Sequence, residues 1–152
     1  MPLSSDWELC LTAGVGPALI LTLSNRGPAE RKILHSPNLQ PSKLILRPGS
    51  GPGVELAAFD ERTRRKFDRT VRRAMFTTLA PGTTLELGRE LFAKVGETYQ
   101  LRWGPFVYQE IPSGNCKVSA VFLSATTEAT DGPVSGAWKG SLTSNEVIVS
   151  LP

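Results

Sequence analysis

Alternation of apolar and polar residues with a period of two recurs along almost the whole chain, and it constrains the fold more than any other feature. In "DWELCLTA" (Asp6 to Ala13), Trp7, Leu9 and Leu11 fall on one face, and in "ALILTLSN" Leu19, Leu21 and Leu23 do the same. Successive side chains of a strand point to opposite sides of a sheet, so each run buries one face and wets the other. The pattern returns in "RKILHS", in "SKLILRP" (Leu44, Leu46), at Val54 and Leu56, and in "TTLELG" (Leu85, Leu87). It continues in "TYQLRW" (Tyr99, Leu101, Trp103), in "NCKVSAVFLS" (Cys116 to Phe122) and in "NEVIVSLP" (Val147, Val149, Leu151). Between the runs lie "GVGP", "RGPAE", "PNLQP" and "GSGPG", whose residue types punctuate turns.

Short strands at this spacing predict an all-β chain, specifically an immunoglobulin-like antiparallel β-sandwich of about 7–9 strands. An up-and-down barrel is the structural alternative. The length of 152 residues suits one domain, 1–152, around a single core. The polar, aperiodic stretch "ATTEATDGPVSG" (Ala125 to Gly136) is expected to form a long surface loop between the final two strands.

One segment breaks the pattern. "FDERTRRKFDRTVRR", residues 59 to 73, carries seven cations, Arg62, Arg64, Arg65, Lys66, Arg69, Arg72 and Arg73, in a chain of formal net charge +3. Phe59, Thr63, Phe67, Val71 and Met75 recur every four residues, which predicts a short inserted helix near residues 60-74 with Asp60 as N-cap. The cations would then face outward, as a solvated face or as a contact for an acidic protein. As a nucleic-acid grip the run lacks stacking aromatics on its outer face, and Asp60, Glu61 and Asp68 interrupt its charge.

Catalytic and metal chemistry find little support. His35 is the single histidine, Ser36 beside it is poorly placed as a nucleophile, and no Gly-x-Ser-x-Gly elbow exists. One His with Cys10 and Cys116 far apart furnishes no zinc-like ligand spacing, so neither metal nor other cofactor is expected. Glu86 and Glu90 read as solvated strand positions, and "GSGPG" lacks the Lys-Ser/Thr of a phosphate cradle. Cys10 and Cys116 read as two free thiols, since alternation turns Cys10 away from the core and Cys116 toward it, with a bridge between them as the alternative. Trp103, Phe106 and Tyr108 cluster around the Gly-Pro break in "RWGPFVYQE", either as aromatic core or as a contact surface for a partner.

"FTTLAPGTTLELGRELF", "YQEIPSGNCKVSAVF" and "WKGSLTSNEVIV" together resemble a recurrent Ig-like module. The plan is also similar to the propeptide region of deuterolysin-type fungal metalloproteases, through Leu21, Leu23, Asn25, Leu79, Ala80, Pro81 and Gly82. No His-Glu-x-x-His follows, so the resemblance implies a propeptide-like module without the catalytic zinc domain. Cys116 stands where a tyrosine corner would place Tyr, leaving its hydroxyl-to-backbone bond missing or made by another residue such as Tyr99. The resemblance implies a non-enzymatic interaction module, an endopeptidase inhibitor or binder. The alternatives are anion or nucleic-acid binding through residues 62-73, and a structural assembly subunit. The longest apolar stretch, Gly14 to Leu23, is too short to span a bilayer, and the start lacks the pattern of a secretory signal. No membrane is expected, and the compartment is cytoplasmic unless a leader was removed.

Overall fold

Each alternating run that carries three or more large apolar residues on one face becomes a strand. A computed structural model describes residues 6–14, 16–35, 42–49, 54–64, 70–124 and 126–152, with 63 and 64 by backbone alone. In chain order the strands are β1 (Trp7–Ala13), β2 (Ala18–Asn25), β3 (Arg31–Leu34), β4 (Lys43–Pro48), β5 (Phe59–Asp60), β6 (Phe76–Leu79), β7 (Thr84–Leu91) and β8 (Ala93–Val95). There follow β9 (Thr98–Trp103), β10 (Phe106–Pro112), β11 (Gly114–Ser124), β12 (Glu128–Ala129), β13 (Gly132–Pro133), β14 (Gly140–Thr143) and β15 (Val147–Leu151).

The strands pair antiparallel throughout. One sheet runs β1–β2–β7 and a second β5–β10–β9–β8. The third is built on β11, with β4 along one edge and β14 followed by β15 along the other. β3 pairs with β6 and β12 with β13 in two small ribbons. The inward residues of all three larger sheets, among them Leu11, Leu21, Leu46, Leu101 and Phe122, join one hydrophobic cluster. Cys116 lies in that cluster while Cys10 faces the other way, and both are free thiols.

Short polar side chains stand in for backbone where the ladders stop. Asn25, at the end of β2, is fully buried. Its Nδ2 donates to the carbonyls of Ala29 and Leu79, both at 2.9 Å, and its Oδ1 accepts from the Gly27 amide at 3.0 Å. Its backbone carbonyl accepts from Gly82 at 2.7 Å. Pro81 precedes Gly82 (φ 79°) in the turn closed by Thr83 N–H to the Ala80 carbonyl, which is the residue order of a type II turn. "LSN" and "LAPG" are therefore two halves of one corner.

The same device recurs at three junctions. Asn145 grips the outer edge of β1, accepting from Leu11 N–H at 2.8 Å and donating to its carbonyl at 2.9 Å. Ser144 accepts from Ala120 N–H through Oγ and donates its own N–H to the Ala120 carbonyl, each at 2.8 Å, so β14 and β15 run on as one ladder partner of β11. Tyr108 donates to the Leu44 carbonyl at 2.6 Å and accepts from Leu44 N–H at 3.1 Å, tying β10 to β4. The Tyr99 hydroxyl donates to the Pro152 carbonyl, a tyrosine-to-backbone bond of the kind that Cys116 cannot make.

The helix expected near residues 60-74 is corrected over the described residues, which hold only 3-10 turns at Glu61–Arg64 and Arg73–Met75. Tertiary pairing overrides the four-residue stripe. Phe59 and Asp60 are drawn into a ladder with Val107 and Phe106, and the Val71 carbonyl is taken by Thr130. Arg72 is extended, and Phe59 remains 37% exposed instead of buried. Val54 and Leu56 form no strand either; Leu56 N–H makes one bond to Leu46, and Val54 is exposed. The loop expected over Ala125 to Gly136 contains the β12–β13 hairpin.

Candidate functional site

The basic segment leaves one sheet and enters another, and acidic residues clamp it at both ends. At its start, Glu61 N–H donates to the Pro105 carbonyl at 2.9 Å. The Asp60 carboxylate accepts from Arg62 N–H at 2.9 Å and from its guanidinium at 2.8–3.2 Å. Both side chains are about three-quarters buried, so this bidentate pair is shielded more than a surface bridge. Arg62 also lies 5.4 Å from the Phe106 ring centroid, and Glu61 pairs with Arg102.

At its far end the segment is held by the hairpin turn between β12 and β13. Thr130 gives its N–H at 2.8 Å and its hydroxyl at 2.6 Å to the Val71 carbonyl. Asp131 accepts from Arg73 N–H at 2.9 Å and pairs with its guanidinium at 3.8 Å. Arg72 and Arg73 are exposed beside this turn. Thr130 and Asp131 lie in a stretch whose polarity gave no sign of the contact, because it depends on chain regions 58 residues apart meeting in space.

The predicted site residues thus separate. Arg62, Arg72 and Arg73 belong to the clamped ends of one strap, whereas Arg65, Lys66 and Arg69 and the Arg64 side chain lie outside the described residues. Trp103, Phe106 and Tyr108 are 3%, 9% and 0% exposed, which removes them as a contact surface. Their clustering reflects core packing: Tyr108 serves β4, and Trp103 donates from Nε1 to Ser42 Oγ at 2.9 Å.

A cavity of about 170 Å³ opens beside Trp103 and Gly104, lined also by His35, Ser42, Phe122 and the β7 residues Leu87, Gly88, Arg89 and Glu90. The β7 wall of the cavity carries a bulge: Leu21 faces Gly88 but Thr22 faces Glu86, leaving Leu87 extra. The Leu87 carbonyl bonds His35. Burial nevertheless holds the imidazole below its ordinary 6.5, and the Leu87 bond only partly opposes that shift. Trp103 fills the place of a side chain at Gly88, where a Cβ would come within 2.6 Å of the indole. Among the described residues no group of three or more His, Cys, Asp and Glu is placed to hold a metal ion, and no helix is long and apolar enough to cross a membrane. Neither family models, curated proteins nor solved structures match this chain.

Proposed function

We propose that the chain is a non-enzymatic immunoglobulin-like β-sandwich that binds a protein partner, an endopeptidase, through the basic strap and the loop packed on it. The observation that carries this is the double clamp. A polybasic tract serving only solubility needs no fixed ends, yet Asp60 and Asp131 hold this one between two sheets. Preorganisation lowers the ordering cost of association with an acidic partner. The choice of an endopeptidase rests on the propeptide-like "LSN" and "LAPG" pair, whose residues meet in one corner.

Protein is favoured over nucleic acid because Glu61, Asp60 and Asp131 each neutralise an arginine of the strap or its neighbour. Titration against a panel of metallo-, serine and cysteine endopeptidases tests the proposal, with saturable binding or inhibition at micromolar concentration expected for at least one class. Absence of binding across the panel overturns it. Oligonucleotide binding that weakens steeply with salt, and drops in R65A, R69A and R72A, supports the anion alternative instead.

A further inference from the structure

We propose that the cavity beside Trp103 is a binding site for a small organic ammonium ion, a site separate from the strap and independent of the partner proposed above. Its shape and its polar groups point the same way. Apolar walls come from Leu87, Trp103 and Phe122. A cavity of about 150 Å³ accommodates benzene, so the 170 Å³ here takes an ion of choline size but not a peptide.

The register of β7 sorts the two charges at the mouth. Glu90 pairs with Leu19 and Gly88 with Leu21, which puts both on the inner face, whereas Arg89 pairs with Ile20 on the outer face. Arg89 lines the cavity too, but its guanidinium is held by Glu86 at 2.8 and 3.1 Å. Glu90 has no ion-pair partner among the described residues. Glu86 thus answers the charge of Arg89, which leaves the Glu90 carboxylate for a bound cation.

The remaining polar groups accept more than they donate. His35 uses one ring nitrogen on the Leu87 carbonyl, which leaves the other, in the neutral ring, as an acceptor. Ser42 Oγ already accepts from Trp103 and keeps a second lone pair. A carboxylate, an aromatic ring and ring-nitrogen and hydroxyl acceptors around a small, partly apolar chamber suit an alkylammonium better than an anion or a sugar. Gly88 is integral to the chamber, because any side chain there displaces the indole.

The test is a two-dimensional NMR titration of the full chain with choline and, separately, with its neutral isostere 3,3-dimethylbutan-1-ol. Saturable shifts at the Gly88 and Gly104 amides and the Trp103 indole N–H are expected with choline, and binding about ten-fold weaker or more for the isostere. E90Q, an exposed change, should lose choline affinity by a similar factor without moving the isostere. Equal affinity for choline and isostere, or no saturable shift up to about 50 mM choline, overturns the proposal. The wild-type comparison decides this even if E90Q folds poorly.

Discussion

Asn25 shows how one side chain sets a corner. It satisfies two carbonyls and an amide that would otherwise be buried without partners, so N25A is expected to lose about 3 kcal/mol in urea unfolding. A loss under about 1 kcal/mol would mean that solvent reaches the corner. Glu110 makes the opposite case. It sits at φ 55° within the bulge that shifts β10 against β9, a left-handed conformation that costs most side chains. E110G is expected to gain about 0.5–1 kcal/mol in the same measurement, since relief of strain exceeds the added chain entropy. The two thiols differ as well: burial pushes Cys116 up to about 11 from 9.0, partly opposed by a backbone hydrogen bond from Arg47. Mass-resolved alkylation of the native chain should label partly buried Cys10 first, with fully buried Cys116 following only on unfolding.

At the level of elements, alternation made β1, β2, β4, β9, β11 and β15 legible because each has one face in the core and one outside it. β10 escaped notice for a physical reason. Phe106, Val107 and Tyr108 are buried in succession, and the bulge at Glu110 then breaks parity, so no period of two remains to be read. The strap failed differently: its four-residue stripe is real in the sequence, but pairing with β10 and with Thr130 consumes the backbone groups a helix would use. Asn25, Asn145 and Ser144 lie among ordinary turn residues, and nothing local distinguishes an Asn that caps a distant strand from one that turns the chain. Tyr108 is as deceptive. Y108F removes both bonds to Leu44 at a fully buried site and is expected to cost about 2 kcal/mol, measured by thermal or denaturant unfolding.

For the molecule as a whole, His35 links acidity to stability. The unfolded chain protonates His35 near 6.5, whereas the folded chain resists the proton until lower pH. Its contribution is therefore complete above 6.5, falls as pH drops below that value, and levels off once the folded imidazole is protonated too. Wild type is expected to lose stability relative to H35Q over that window, and parallel profiles would remove the effect. The strap's anchors, Asp60 and Asp131, are different residues from Arg65, Arg69 and Arg72, so anchoring and recognition are tested by separate substitutions. The most direct test is calorimetric titration of the endopeptidase that binds best, using wild type and an R65A/R69A/R72A variant that keeps the Asp60–Arg62 and Asp131–Arg73 pairs. Affinity at least about ten-fold weaker is predicted for the variant; equal affinity for the two proteins would contradict recognition through the strap.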